Sequence, residues 1–167
     1  MRTISSNKDD VLDGGVEVLW EEVENAAPAQ DDWLAGARAF AHALRDVMRR
    51  HPNAAPLIMS RSIMPIPALR IVQEHIKAAI DGGTREDRAY ALLRALTSYA
   101  LGSAQAEVTW GITSTGCAPK VGDLLRPGTP DDLAAVAEVF CGQSDLDAQF
   151  DLGLDLMLRG IDCRPAR

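Results

Sequence analysis

Residues 84–110, TREDRAYALLRALTSYALGSAQAEVTW, decide the fold of this chain. Apolar side chains recur there every three to four residues, which predicts one long α-helix. Two sides of that helix are apolar, and only a thin polar stripe separates them: one side carries Leu92, Leu96, Tyr99 and Ser103, and the other carries Tyr90, Leu93, Thr97 and Leu101. A helix that is apolar nearly all round is buried on several sides. We therefore predict that this helix is central to the fold, contacts a second subunit, or does both.

The last predicted helix, from Asp145 to about Ile161, has the same excess of apolar surface. Its wide face consists of Leu146, Phe150, Leu154, Met157 and Ile161. Leu152 and Leu156 form a second stripe on nearly the opposite side. Because one neighbouring helix cannot cover two opposite faces, this second stripe is expected to need another cover.

The remainder of the chain is also helical in its periodicity, and no segment alternates with a period of two for long enough to predict a strand. Further helices are predicted at about residues 8–24, 31–51, 53–61 and 67–81, and a long loop at 111–128. Capping boxes mark three helix starts: Thr84 with Asp87, Thr129 with Asp132, and Ser144 with Asp147. The predicted fold class is all-α, in one domain.

Charge supplies the first constraint on function. The 167 residues include 17 Lys and Arg against 24 Asp and Glu, which gives a formal net charge of −7. Proteins that bind nucleic acid present a basic face to the phosphates. The one basic cluster, formed by Arg38, His42, Arg45 and Arg49 on a single predicted helix, is interpreted as a solvated face. This chain alone is therefore expected to bind DNA poorly.

Composition also argues against several other classes. No run approaches the ~20 apolar residues of a membrane span, and the first ten residues contain no apolar run that could act as a secretion signal. The three cysteines are widely spaced and are expected to be reduced thiols rather than disulfide or zinc ligands. Catalytic sequence signatures are absent. We expect a cytoplasmic protein that needs no metal or cofactor and is not an enzyme, with an unrecognised active site as the minor alternative.

His75 is the most informative polar residue, because it lies inside the apolar arc of the predicted helix at 67–81. The favoured interpretation is a boundary histidine bonded to a backbone carbonyl, and the alternative is a polar handle in an apolar pocket that orients a small molecule. The same alternatives apply to Thr97, for which a bond to its own helix backbone is favoured. Met59 and Met64 flank a proline-rich connector, where core packing is favoured over a pocket wall.

Several short motifs occur in a distinctive order: Asp32-Trp33 at a helix start, RHPNAAPL at 50–57, Gly82-Gly83 at a helix end, Leu101-Gly102 in the long helix, and FDLGLDLMLRG at 150–160. In order and spacing they resemble the C-terminal region of the tetracycline repressor (TetR) family over nearly the whole chain. The resemblance implies a multi-helix TetR-type C-terminal domain that dimerises through a four-helix bundle. It further implies a homodimeric repressor core that binds a small apolar or amphipathic effector and thereby controls DNA binding.

The resemblance also implies roles for individual residues. The effector pocket would be lined by residues from several helices: Phe40, Leu44, Met59, Met64, Val72, His75, Ile76, Tyr90, Leu93 and Thr97. The dimer interface would include Leu152, Leu156, Leu96 and Tyr99 from the long and last helices.

The family's helix-turn-helix head is expected to be missing from this chain. Residues 1–7 resemble a remnant of the junction to that head, 8–162 would form the ligand-binding and dimerisation domain, and 163–167 a tail. DNA would then be contacted only through a head that this chain does not carry. The alternative is a headless dimerisation module that modulates an intact regulator, and coding sequence upstream of Met1 would distinguish the two.

Overall fold

In a computed structural model, the structure describes residues 8–53, 55–61, 64–109, 120–141 and 145–162. Within these ranges the chain forms α-helices and no strand, which confirms the predicted all-α class. The helices are α1 (Lys8–Ala26), α2 (Trp33–Arg50), α3 (Ala55–Ser60), α4 (Ile66–Asp81), α5 (Glu86–Thr109), α6 (Val121–Leu124), α7 (Asp131–Cys141) and α8 (Leu146–Asp162). The predicted junction at 1–7 and tail at 163–167 lie outside the described residues.

The helix boundaries follow from local chemistry, although not always from the predicted caps. Asp32 caps α2, since its Oδ1 accepts hydrogen bonds from the backbone N–H groups of Leu34 and Ala35 at 3.1 and 3.2 Å. Beyond the predicted box at Thr129, α7 begins at Asp131, and the Thr129 hydroxyl donates to the Arg126 carbonyl at 2.7 Å. The region predicted as a continuous loop at 111–128 contains the short helix α6.

The long helix α5 is central, as the sequence predicts. It packs against α2 along much of its length, with α4 on one side and α8 on another, while α1 packs against α4 and α2. The core between these helices is formed by large apolar side chains that are almost completely buried, including Phe40, Leu44, Val47, Leu96, Phe150 and Leu154. Burying a side chain of this size stabilises a fold by roughly 1.5–3 kcal/mol relative to leaving it exposed. This packing fixes α2, α4 and α5 around the centre of the molecule.

The contact between α5 and α8 is unusually close at one glycine. The Tyr99 ring stacks on Phe150 with a centroid distance of 4.9 Å and an interplanar angle of 5°. Its hydroxyl donates to the backbone carbonyls of Gln149 and Phe150 at 3.4 and 3.3 Å. A Cβ placed on Gly153 would lie 2.1 Å from the Tyr99 oxygen, so any side chain at this position would force the Tyr99 ring to move.

The basic cluster of α2 is not a solvated face, which corrects the interpretation from sequence. Its basic side chains contact aspartates spaced every four residues along α8, in antiparallel order: Arg38 with Asp155, His42 with Asp151, and Arg45 and Arg49 with Asp147. The hydrogen bond from Arg45 holds the pKa of Asp147 below its ordinary value, and Arg38 does the same to the pKa of Asp155. These pairs, which we call the α2–α8 ladder, join two helices whose charged faces were complementary in the sequence.

Candidate functional site

A small cavity lies where α2, α4 and α5 meet. Its volume is about 10 Å³, which is roughly the space that one water molecule needs. The lining is mostly apolar and includes many small side chains: Gly36 and Ala37 from α2, Ala79 from α4, Ala89 from α5, and the larger Trp33, Ile76, Leu92, Leu93 and Leu96. His75 is the polar side chain placed deepest among these residues.

His75 is held in one orientation by its own helix and by an aromatic neighbour. Its Nδ1–H donates to the Ile71 carbonyl at 3.0 Å, as the favoured interpretation from sequence expected. The ring packs against Phe40 with a centroid distance of 5.3 Å. Only 7% of the residue is exposed, and this burial lowers the pKa of His75 below its ordinary value of 6.5. The imidazole is therefore neutral at pH 7.

The second ring nitrogen of His75, Nε2, has no hydrogen-bond partner of normal geometry. It is buried, and the Gly36 backbone lies near it. Buried polar atoms in folded proteins nearly always have a partner. An unsatisfied nitrogen beside a cavity is therefore a candidate point of contact for a bound molecule or a water.

The structure brings together some of the residues predicted for the pocket. His75, Ile76 and Leu93 line the cavity, and Phe40 packs against His75. Leu44 is buried in the adjoining core, Val72 packs at the core's edge, and Thr97 donates its hydroxyl to the Leu93 carbonyl at 2.8 Å. Three other predicted members, Met59, Met64 and Tyr90, are exposed and do not line this cavity.

Sequence reasoning missed the small residues that create the space. Gly36 and Ala37 on α2 face Ala79 on α4 and Ala89 on α5 around the cavity. A cluster of Gly and Ala on the facing sides of three helices leaves unfilled volume, because the backbones are held apart by larger neighbours. The signal was present as paired small residues on otherwise apolar faces, but recognising it requires knowing which helices face each other.

A larger groove adjoins the cavity at the surface. Its volume is about 380 Å³, and it lies between the segment 29–31 before α2 and the C-terminal half of α4. Gln30 and Ala78 line both the groove and the cavity, so the two spaces are neighbours. The exposed rim of the groove is mostly acidic, with Asp31, Glu74 and Asp81 against Lys77. We call this surface space the outer groove.

The predicted interface residues fall into two groups. Leu152 and Leu156 are 61% and 66% exposed, so no other described part of the chain covers their stripe on α8. Tyr99 is half-buried between α5 and α8. Leu96 is completely buried by its own chain and lines the cavity, so it is not on a surface that a second subunit could contact.

Two further classes of site were sought among the described residues. No group of three or more His, Cys, Asp or Glu is arranged there to hold a metal ion. No helix in the described ranges is long and apolar enough to cross a membrane.

The chain is an all-helical domain with a small cavity among its central helices. The chain belongs to the family described as "Tetracyclin repressor-like, C-terminal domain", whose sequence profile matches residues 25–164. It is similar to an "HTH-type transcriptional regulator" of Saccharopolyspora erythraea, with 28% identity over 157 residues. That match covers 93% of this chain and 66% of the relative, so the chain spans slightly under two thirds of the relative's length.

Solved structures of family members share the fold. One is a possible TetR family transcriptional regulator from Streptomyces coelicolor A3(2), with a TM-score of 0.74 and 24% identity, covering 94% of this chain and 78% of that one. Another is a TetR variant from Acinetobacter baumannii AYE in complex with minocycline, with a TM-score of 0.64 and 21% identity, covering 94% and 72%. At these identities the likeness establishes the fold of the chain.

Proposed function

We propose that residues 8–162 form the effector-binding and dimerising core of a TetR-type transcriptional repressor. The observation that carries this proposal is the cavity between α2, α4 and α5, where His75 presents an unsatisfied nitrogen among apolar side chains. The space is apolar with one placed polar group, as in small-molecule sites, but at about 10 Å³ it is far smaller than their usual ~300–1,000 Å³, so an effector would have to move α2, α4 and α5 apart. The structure of the Acinetobacter baumannii TetR variant in complex with minocycline, which shares this fold, supports small-molecule binding.

Dimerisation is the second part of the proposal. The exposed stripe of Leu152 and Leu156 lies on α8, which packs beside α5. Two such helix pairs would form a four-helix bundle that removes both leucines from water, at roughly 25 cal/mol for each Å² of apolar surface buried. Tyr99, which locks α8 onto α5, would hold the pair in the geometry that the bundle needs.

Control of DNA binding would follow from coupling between the effector site and the dimer interface. A ligand shifts a conformational equilibrium only if it binds one state better than the other. Effector entry between α2, α4 and α5 would change the packing of α5 and, through it, the spacing of two helix-turn-helix heads in the dimer. A repressor of this kind acts on DNA in the cytoplasm, and its relatives are regulators rather than enzymes.

Light scattering and a matched pair of variants test the dimer. The wild-type chain should have the mass of a dimer at micromolar concentration, and the double change Leu152→Glu with Leu156→Glu should reduce it to a monomer with unchanged helix content. Val11→Glu is the control, because Val11 is a comparably exposed aliphatic residue on α1, away from α8. A wild-type monomer, or a dimer unaffected by the double change, would contradict the proposed interface.

A further inference from the structure

We propose that α7 packs on α8 of a second copy of this chain, so that each copy contributes a third helix to the dimer interface. This inference rests on the proposed dimer and extends its contact surface beyond α5 and α8. Two features of the molecule support it: α7 has an apolar face that its own chain leaves exposed, and the leucine stripe of α8 is too small to hold a dimer together alone.

The apolar face of α7 is not covered by the described part of the chain. Large apolar side chains recur at three- and four-residue spacing and share one side of the helix: Leu133, Val136, Val139 and Phe140. Val139 and Phe140 are 89% and 84% exposed, and the other two are more than half exposed. Asp131 and Glu138 lie on the opposite side, and α6 is the helix that packs against α7. A helix with this pattern normally buries its apolar side, so this face is expected to pack against another molecule.

The leucine stripe of α8 supplies too little area for a stable dimer. A specific protein–protein interface buries about 800 Å² on each partner. An exposed leucine, valine or phenylalanine contributes on the order of 100 Å² when it is buried, so Leu152 and Leu156 supply only about a quarter of that area. Leu124 on α6 is also exposed. With Leu124 and the four apolar side chains of α7, the available apolar surface rises to roughly 700 Å².

Pairing α7 with α8 of the other copy covers both exposed surfaces at once. In a twofold dimer every contact occurs twice, so α7 of each copy would lie on the leucine stripe of the other. The part of α5 next to α8 leaves room for such a helix, because Ala95 and Gly102, one turn to either side of Tyr99, are small and exposed. Large side chains such as Phe140 pack well against positions occupied by small ones.

Charge disfavours a lipid surface as the cover for α7. Helices that lie on membranes carry Lys and Arg on their polar side, where these cations attract anionic headgroups. The polar side of α7 carries Asp131 and Glu138 instead, and the helix contains no Lys or Arg. An unrelated protein bound to α7 would leave the leucine stripe of α8 exposed to water, whereas a second copy covers both surfaces.

Paired substitutions in the full chain test the contact. Val136→Glu with Phe140→Glu should raise the dissociation constant of the dimer at least about tenfold in sedimentation equilibrium, because two charges would lie against an apolar surface. Helix content should not change, since both side chains are exposed. The matched control is Val11→Glu with Val18→Glu on α1, where the valines are 63% and 55% exposed. The control adds the same charge and should leave the dissociation constant nearly unchanged.

Charge reversal identifies the helix of the second copy that α7 contacts. One chain carries Val136→Lys with Phe140→Lys, and another carries Leu152→Glu with Leu156→Glu. Each chain alone should be largely monomeric, whereas an equimolar mixture should form heterodimers, because lysines on α7 then face glutamates on α8. Changing the two control valines of α1 to lysine instead adds the same charges, and that mixture should form far less heterodimer.

Two results would overturn the inference: a dissociation constant that the α7 substitutions leave unchanged, or a mixture of the two charged chains that stays monomeric. If the wild type is a dimer that is lost on changing Leu152 and Leu156 but not on changing α7, the proposed dimer is retained and only the role of α7 is rejected. A monomeric wild type rejects the proposed dimer itself. Binding of that monomer to vesicles of phosphatidylcholine and phosphatidylglycerol, abolished by the α7 substitutions, would assign the apolar face of α7 to a lipid surface instead.

Discussion

Gly153 determines how closely α8 can approach α5. Its missing side chain leaves room for the Tyr99 ring, which stacks on Phe150 and donates its hydroxyl to two α8 carbonyls. In an isolated helix this glycine would be unfavourable by roughly 0.5–1 kcal/mol relative to alanine. The close helix contact that it permits offsets that cost.

We predict opposite effects for two glycines of the same helix. Gly153→Ala should lower the free energy of unfolding by about 1–3 kcal/mol, because the new methyl group overlaps the Tyr99 hydroxyl and forces the ring from its stack. Gly160→Ala should raise it by about 0.5–1 kcal/mol, because no atom lies within 4 Å of the added Cβ. Urea unfolding followed by circular dichroism measures both, and equal effects at the two positions would contradict the close contact.

His75 should make stability depend on pH in a defined direction. Burial lowers the pKa of the folded imidazole, whereas in the unfolded chain it titrates near 6.5. Below that pH the unfolded state binds the proton and the folded state does not, so stability is complete above about 6.5 and falls as the pH is lowered through the window beneath it. The loss should reach up to about 1.4 kcal/mol per pH unit.

The pH effect is measured by comparing the wild type with His75→Phe in urea at pH 7.5 and pH 5.5. His42 and His51 remain in both proteins, paired with Asp151 and Glu22, so their contribution cancels in the difference. The wild type should lose more stability than the variant on acidification. A steeper loss in the variant would show that the folded His75 accepts the proton readily, against the lowered pKa.

Among whole elements, α8 is joined to α2 by pairs of charged side chains. Arg45 is 1% exposed and lies 2.7 Å from both Glu107 on α5 and Asp147 on α8, with its guanidinium 4.5 Å from the centroid of the Phe150 ring. Glu107 is itself 4% exposed. Breaking a buried pair by removing one partner is costly, because the other charge is left without compensation. One arginine therefore ties three helices together.

A double-mutant cycle at Arg45 and Glu107 measures the coupling energy between these two side chains. Arg45→Met alone should lower the free energy of unfolding by about 3–5 kcal/mol, because the buried Glu107 then keeps only the partly exposed Arg49 as a cationic partner. Adding Glu107→Met should recover part of that loss, because the poorly compensated carboxylate is removed. The control is Lys77→Met, which breaks the exposed pair with Asp81 and should cost under about 1 kcal/mol. Additive losses from the two single changes would contradict the coupling.

At the scale of the whole molecule, the sequence was sufficient for what depends on single helices. The apolar circumference of residues 84–110 correctly predicted a central helix, and the leucine stripe at positions 152 and 156 is exposed as expected. Properties that depend on which helices face each other were predicted poorly. The basic cluster of α2 was interpreted as solvated because its partners lie about a hundred residues later, on α8.

In the candidate site too, features that depend on one helix were predicted better than features that depend on which helices face each other. A hydrogen bond from His75 to a backbone carbonyl was predicted, and the Ile71 carbonyl of the same helix accepts it. His75 was predicted at the boundary of the core and is instead buried. The cavity itself is formed by small residues from three helices, and its exact lining depends on how far apart those backbones are held. Core packing was favoured for Met59 and Met64, and the family resemblance placed them near the pocket mouth. In the structure both are exposed, so neither packs in the core, and neither lines the cavity.

The charge distribution of the whole molecule predicts that its surface does not bind DNA. The net charge is −7, and the cations of α2 that could form a basic stripe are paired with Asp147, Asp151 and Asp155. Binding to duplex DNA is driven by releasing counterions from phosphates, which requires unpaired Lys and Arg. Fluorescence anisotropy with a labelled random-sequence duplex at physiological salt should therefore show no binding by residues 1–167 at micromolar concentration.

A variant makes this prediction specific to the α2–α8 ladder. Changing Asp147, Asp151 and Asp155 to Asn removes three negative charges and leaves the side-chain volumes nearly unchanged. It frees Arg38, while Arg45 and Arg49 lose one of their two carboxylate partners and keep Glu107. If pairing neutralises that face, the variant should acquire weak binding that falls steeply with added salt, since each phosphate contact contributes about −0.9 to the slope of log K against log salt. Matching changes of Asp10, Glu17 and Glu86 to their amides alter the net charge equally without touching the ladder, and they should produce no such binding. Equal binding by the two variants would mean that net charge alone, and not the ladder, keeps this surface from DNA.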